Sequence, residues 1–204
     1  MKLYLSSIQI PTPDDLAALL GRPLSQTRLA LIPNAKDYFI PRARDFTVSD
    51  RVTSLRQLGL QVDVVDLRDY DDGAQLKAKL TGYDLVWAMG GNTFMLRYEM
   101  RRSGFDTIIK DLLDRGIVYG GDSAGALVAG TSIAGVEAAD EPAFAAEVIT
   151  DGMHLVPFVI MPHVDNPEFA EVLPVVRGRH DNMIELKDSQ AVIFDGDQQR
   201  IVEG

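Results

Sequence analysis

The chain has 204 residues, 46% hydrophobic and 25% charged, the proportions of one globular domain rather than of a disordered or fibrous chain. Lys and Arg number 20 against 30 for Asp and Glu, so the net charge of −10 disfavours nucleic acid and anionic lipid as partners. Cysteine is absent, which excludes disulfides, thiolate metal sites and a cysteine nucleophile, and no run reaches the ~20 apolar residues that cross a bilayer.

Short aliphatic runs alternate with segments of helical period, the pattern of a parallel sheet flanked by helices. Strands are expected near Leu3–Ile8, Arg28–Pro33, Gln61–Asp66, Leu85–Met89, Ile117–Gly120, Val159–Pro162 and Ala191–Asp195. Pro13–Leu20 reads as a helix with Thr12 as N-cap, Pro13 as its first residue and Asp14 and Asp15 in its first turn. Asp45–Leu58 places Phe46, Val48, Val52, Leu55 and Leu58 at helical spacing and ends at Gly59. Thr93–Arg115 reads as one or two helices interrupted at Gly104, and Ser123–Ala129 as the opening of another. Ile133–Glu147 is ambiguous between loop and helix, and the chain closes in a hairpin, Ala191–Asp195 to Arg200–Val202, at a sheet edge. No repeat or linker divides residues 1–204, so one domain is expected.

The most informative stretch is Val118-Tyr119-Gly120-Gly121-Asp122-Ser123-Ala124-Gly125-Ala126, an apolar strand running through Gly-x-Ser-x-Gly into a helical pattern. This is the form of a nucleophile elbow, where small neighbours permit a sharp reversal that lifts the Ser123 hydroxyl clear of the backbone. The N–H of Ala124, at the following helix start, is placed to meet a developing oxyanion. A second glycine turn, Met89-Gly90-Gly91-Asn92-Thr93-Phe94, follows the Leu85–Met89 strand and opens a helix at the same sheet edge. Its N–H groups could complete an oxyanion hole, and it lacks both the dinucleotide fingerprint and the lysine of a P-loop.

A serine nucleophile needs a base, and only His154, His163 and His180 are available. His163 follows a strand directly, whereas His154 precedes that strand and His180 sits in the charged stretch Arg177–Asn182, so His163 is the candidate. Between Ser123 and His163 the acids are Glu137, Asp140, Glu141, Glu147 and Asp151, and spacing does not choose among them.

Three segments in order, Gly90-Gly91-Asn92-Thr93-Phe94, Gly121-Asp122-Ser123-Ala124-Gly125-Ala126 and Pro162-His163-Val164-Asp165-Asn166-Pro167, resemble the dipeptidase E and cyanophycinase family of serine peptidases. Asp188-Ser189-Gln190-Ala191-Val192 looks like that family's end strand. The resemblance implies a flavodoxin-like three-layer α/β sandwich with a mostly parallel sheet, related to class I glutamine amidotransferases with Ser replacing their Cys. It implies Ser123 as nucleophile, His163 as base, and the N–H groups of Gly91 and Ala124 as oxyanion hole. The acid is expected in the loop after the elbow helix, at Asp140 or Glu141 with Glu137 behind. Asn92, Thr93, Arg177 and Arg179 are the candidate substrate-binding residues, the arginines for a substrate carboxylate. The implied activity is metal-independent, cofactor-free hydrolysis of short peptides, with an N-terminal aspartate as the preference to test. A cytoplasmic homodimer is expected. Two other readings compete: a ligand-binding domain of the same fold without catalysis, and an α/β-hydrolase esterase, the latter disfavoured by the short chain and the missing His-Gly-Gly-Gly stretch.

Overall fold

A computed structural model describes all residues, 1–204. In chain order the elements are β1 (Lys2–Ser6), α1 (Pro13–Leu20), β2 (Arg28–Ile32), α2 (Pro41–Gln57), β3 (Gln61–Val64), α3 (Gly73–Leu80), β4 (Leu85–Ala88), α4 (Thr93–Arg102), α5 (Phe105–Asp114) and β5 (Val118–Asp122). They continue as α6 (Ala124–Leu127), β6 (Val159–Met161), α7 (Val172–Arg179), β7 (Met183–Glu185), β8 (Gln190–Asp195) and β9 (Gln198–Glu203). Seven strands form one sheet in the order β3-β2-β4-β5-β1-β8-β9. The first five strands of the chain run parallel, while β8 is antiparallel to β1 and β9 to β8.

Helices cover both faces, so the central strands are buried on both sides and read as unbroken apolar runs rather than as alternating ones. Alternation decides which core each side chain joins. Leu3, Leu5, Ala30, Ile32, Val86 and Ala88 pack into one layer, and Tyr4, Leu29, Leu31, Leu85 and Trp87 into the other. This is the expected three-layer α/β architecture, and no helix is long and apolar enough to cross a membrane.

Several elements depart from the sequence expectation. The Val159–Pro162 run does not join the main sheet: as β6 it pairs with β7 in a separate two-stranded parallel sheet. Helix α2 begins at Pro41, whose ring suits the first helical position, and its Phe46 is 75% exposed instead of buried. Arg51 takes a buried place on that helix beside Val48 and Leu55. Thr12 makes no side-chain cap, because its hydroxyl is bonded to the Tyr4 hydroxyl at 2.8 Å. The ambiguous Ile133–Glu147 stretch forms two single 3-10 turns, Val136–Ala138 and Pro142–Phe144, within loop.

The parallel strands all deliver their carboxyl ends to one edge, where β1, β4 and β5 lie side by side. Ser7, Gly90-Gly91 and Ser123 leave those ends, the position at which open α/β sheets bind ligands.

Candidate active site

Ser123 has φ 51° and ψ −112°, a conformation that costs energy in a non-glycine residue and persists because its surroundings fix it. Its N–H donates to the Ser6 carbonyl at 3.1 Å, and its own carbonyl accepts from Ala126 and Leu127, both at 2.9 Å. The flanking glycines are required by contact: a Cβ on Gly121 would lie 2.6 Å from the Gly125 backbone, and one on Gly125 would lie 2.2 Å from the Ala88 carbonyl oxygen. Asp122, between Gly121 and Ser123, ties the elbow to its neighbours. Its carboxylate accepts from Arg51 at 2.6 Å, from the Trp87 indole at 2.7 Å and from the N–H of Gly90 at 3.2 Å.

His163 meets the serine. Its Nε2 is 2.9 Å from Ser123 Oγ, and the residue is only 7% exposed, its ring stacked on Phe169 at 4.4 Å between centroids. The backbone is again in the left-handed region, φ 63°, with the N–H donating to Ser7 Oγ at 2.8 Å. On the far side of the ring, Nδ1 lies 2.5 Å from Asp188 Oδ1. A proton on Nδ1 satisfies that contact and leaves the Nε2 lone pair to accept from Ser123, the tautomer a serine-activating base requires.

Asp188 sits among donors: Ser7 Oγ donates to it at 3.0 Å and Asn166 Nδ2 at 3.1 Å. Partial burial pushes its carboxyl up, but the hydrogen bonds from His163, Ser7 and Asn166 outweigh burial and hold it below the usual aspartate range. The imidazole therefore faces a carboxylate, and that carboxylate is not one of the acids expected from the sequence.

Asp140 accepts from Thr93 N–H at 2.9 Å and Thr93 Oγ1 at 2.5 Å, so it closes the N-terminus of α4 rather than reaching His163. Burial holds it above the ordinary value, only partly offset by the Thr93 hydrogen bonds and by the charges of Lys36 and His163. Glu141 accepts from the N–H of Ala143 at 3.1 Å, and Glu137 from Arg179 at 3.0 Å and from Gly135 N–H at 2.8 Å. The expectation that one of these three orients the base is corrected: the loop after α6 is pinned to the N-terminus of α4 through Asp140 and the Glu141 carbonyl, and Nδ1 meets Asp188 instead.

The arginines are corrected as well. Arg177 forms a two-point pair with Glu185, both contacts 2.7 Å, and Arg179 pairs with Glu137, all on the exposed face of α7. Neither lines the space around Ser123. Asn92 is the N-cap of α4, accepting from Met95 N–H at 2.9 Å and donating to the Glu141 carbonyl at 3.0 Å. It holds the turn in place, while Thr93 does line a cavity at Ser123.

The two N–H groups expected at an oxyanion are free. Gly91 N–H has no acceptor in the chain, and Ala124 is the first residue of α6, where no intrahelical acceptor exists. Gly91 must be glycine, because at φ 146° a Cβ would lie 2.3 Å from the Ala35 carbonyl oxygen.

Two cavities open on Ser123. One, about 400 Å³, is walled by Leu127, Val136, Met161, Phe169 and Val172 and contains Thr93 and Asp140. The other, about 300 Å³, is polar and holds Ser7, Arg51, Asp122 and His163. Lys36, Gly91 and Ser123 belong to both. No group of three His, Asp or Glu side chains is arranged to hold a metal ion.

The constellation is that of a hydrolase, and comparison with known proteins agrees. The profile of Peptidase family S51 matches residues 10–202, and the chain belongs to that family of peptidases. The Listeria monocytogenes serovar 1/2a protein Lmo0363, called an uncharacterized peptidase, is 34% identical over 140 residues, covering 66% of this chain and 68% of its own. A peptidase E of Shewanella putrefaciens is 28% identical over 198 residues, covering 80% of this chain and 79% of its own. The crystal structure of a Listeria monocytogenes EGD-e chain described as a peptidase E protein superposes with a TM-score of 0.84 at 25% identity, covering 99% of this chain and 98% of that one.

Two of the site residues were not assigned a role from the sequence. Ser7 follows β1 without a motif, and Asp188 opens the end-strand segment 25 residues beyond His163, outside the Ser123–His163 stretch in which the acid was expected. The usable clue was topological: an antiparallel strand such as β8 begins at the edge where the parallel strands end.

Proposed function

We propose that the chain is a serine-type peptidase acting on short peptides through Ser123, His163 and Asp188. The observation that carries this reading is the unbroken relay of contacts, Ser123 Oγ to His163 Nε2 at 2.9 Å and His163 Nδ1 to Asp188 at 2.5 Å. In the first step His163 Nε2 takes the Ser123 proton as Oγ attacks the scissile carbonyl. The carbonyl oxygen gains charge and is received by the N–H groups of Gly91 and Ala124. The Nε2 proton then passes to the leaving amine, and water, activated by the same imidazole, releases the acyl group from Ser123. Asp188 keeps the ring in the required tautomer and balances the transient imidazolium.

Short substrates fit because both cavities beside Ser123 are small, about 400 and 300 Å³. A preference for N-terminal aspartate would need a cation beside Ser123: Arg177 and Arg179 are spent elsewhere, and Lys36, which lines both cavities, is the cation within reach. The test is incubation of wild type and Ser123→Ala with dipeptides including Asp-Leu and Ala-Leu, products read by mass spectrometry, alongside labelling by a fluorophosphonate. Expected are cleavage by wild type, one adduct on Ser123, and a drop in kcat on the order of 10⁶ in Ser123→Ala. Retained turnover in the variant would sink the assignment.

A further inference from the structure

The two N–H groups set for the oxyanion belong to different segments of chain, Gly91 to the turn between β4 and α4 and Ala124 to the elbow after β5. A hole assembled from two segments works only if both donors are held at the spacing of one oxygen. Asp122 is the side chain that joins them. It stands in the elbow just ahead of Ser123 and Ala124, and its Oδ2 accepts from the N–H of Gly90, the neighbour of Gly91, at 3.2 Å. That N–H has no backbone acceptor. The two segments also touch directly, since a Cβ on Gly90 would lie 2.9 Å from Ser123 Cβ and 3.1 Å from Asp122 Oδ2.

A carboxylate beside a developing oxyanion is a hazard as well as a tether, because its charge raises the energy of the state that the hole has to stabilise. Here the charge is met by a cation in contact. Asp122 Oδ1 accepts from Arg51 at 2.6 Å and from the Trp87 indole at 2.7 Å, which leaves Oδ2 for Gly90. The Arg51 and Asp122 side chains are 9% and 15% exposed, so solvent screens the pair little. Lys36 also lies in the field of Asp122, but the contact belongs to Arg51.

Arg51 is held in this place against a local penalty. Its Nε is the one buried side-chain nitrogen or oxygen of the chain without a hydrogen-bond partner, and an unmet buried donor destabilises the fold. Helix α2 brings it in on the buried side that also carries Val48 and Leu55. The guanidinium carbon lies 5.8 Å from the centre of the Trp87 ring. Trp87 is itself fully buried against Gly120, where a Cβ would lie 2.4 Å from the indole Cε3. Gly120 thus seats the indole that shares Oδ1 with Arg51.

We infer that Arg51 and Asp122 are positioning residues for the oxyanion hole: Asp122 ties the Gly90-Gly91 turn to the Ser123 elbow, and Arg51 neutralises that carboxylate so that it does not oppose the oxyanion. This rests on the peptidase reading above for the substrate, while the same hole serves any electrophile that Ser123 attacks, and the experiment uses both.

Wild type, Arg51→Met, Arg51→Lys, Asp122→Asn and the double variant Arg51→Met/Asp122→Asn are compared by kcat and KM on Ala-Leu, by the rate at which a fluorophosphonate labels Ser123, and by Tm. In labelling, Oγ forms a bond to phosphorus, fluoride leaves with the P–F electron pair, His163 takes the hydroxyl proton, and the phosphoryl oxygen enters the hole. Arg51→Met is expected to lower both kcat and the labelling rate by roughly 100-fold, with KM within about threefold of wild type. In Asp122→Asn one amide oxygen cannot serve both Gly90 and the Arg51–Trp87 pair, so the loss is roughly tenfold. Adding Arg51→Met to Asp122→Asn then costs no more than about threefold further, because no charge remains to neutralise. Arg51→Lys keeps the charge and most of kcat.

A fall in Tm in Arg51→Met with kcat and labelling unchanged overturns the inference and makes the ion pair a strut between α2 and the sheet. Equal losses from Arg51→Met in the wild-type and Asp122→Asn backgrounds also overturn it, since Arg51 would then act otherwise than through Asp122. If Arg51→Met does not fold, the milder variants decide. Asp122→Asn within about threefold of wild type in kcat overturns the inference, and a roughly tenfold loss there with Arg51→Lys near wild type upholds it. The expected pattern in labelling, in a protein that hydrolyses no peptide, upholds the hole and removes the peptidase reading. Cleavage of Ala-Leu that no variant slows leaves the peptidase reading standing and removes the inference.

Discussion

Asp188 and Asp140 both lie within the field of His163, and their surroundings push them in opposite directions. Asp188 stands at the entrance of β8 among three donors, His163, Ser7 and Asn166, and is held ionised below the usual range. Asp140 is half-buried beside apolar walls with Thr93 as its hydrogen-bonding partner, and desolvation pushes it above that range. The difference separates two uses of the same side chain. A carboxylate surrounded by donors can orient an imidazole and stabilise its charged form, whereas a desolvated one shapes the space next to the nucleophile.

The sharpest way to break that division is to neutralise each acid in turn. Asp188→Asn should lower kcat by about 10⁴, because the amide can present its N–H₂ to Nδ1 and favour the wrong tautomer. Asp140→Asn should cost far less, about 10- to 100-fold in kcat/KM and carried mainly by KM, since its amide oxygen still accepts from both Thr93 donors and the relay is untouched. Steady-state kinetics on one dipeptide decides the matter. Equal losses in kcat would mean that Asp140 acts on the chemical step and that the division is wrong.

The same pair gives opposite signs in stability against pH. The folded pKa of Asp188 is depressed, so its stabilising contribution is fully present above the unfolded value of about 3.9 and is lost as pH falls through the folded one. The folded pKa of Asp140 is raised, so its ionisation costs stability at neutral pH, and that cost is relieved as pH falls through the folded value. Urea midpoints should therefore place Asp188→Asn below wild type at pH about 7, with the gap closing below about pH 4. Asp140→Asn should lie at or above wild type at neutral pH, its margin shrinking in acid. A margin that grew in acid would contradict the sign assigned to Asp140.

The nucleophile and the base were legible in the sequence because their constraints are local. The Gly-x-Ser-x-Gly spacing lies within the elbow itself, where Gly121 is demanded by the Gly125 backbone even though Gly125 is demanded by the Ala88 carbonyl of β4, and with three histidines the base follows from elimination. The order of strands in the sheet was legible only in part. β6 has the composition of a sheet strand, yet it pairs with β7, a three-residue strand without a periodic signal of its own. The acid was hidden because spatial nearness came from the antiparallel return of β8 beside β1: Asp188–Val192 was legible as an end strand, but its long-range pairing, which carries Asp188 to His163, was not. Arg177 and Arg179 misled for the converse reason: charge on a helix surface has no address, and here Glu185 and Glu137 neutralise both.

The smallest expected effect tests how far the donor shell of Asp188 matters. Ser7 is fully buried, accepts from His163 N–H at 2.8 Å and donates to Asp188 at 3.0 Å, so one hydroxyl holds both partners of the imidazole pair. It touches neither the scissile bond nor Ser123 through a hydrogen bond, which makes it a positioning residue. Ser7→Ala should lower kcat by about tenfold, near 1.4 kcal/mol, with KM little changed. It should also lower Tm, because the His163 N–H loses its acceptor in a buried site. Ser7→Thr keeps the hydroxyl and should recover most of kcat. If Tm falls in Ser7→Ala while kcat stays, Asp188 alone is sufficient to orient the ring and Ser7 is a strut between β1 and the His163 turn. If kcat falls and threonine restores it, the hydrogen-bond shell around the carboxylate contributes to catalysis through the geometry of the imidazole.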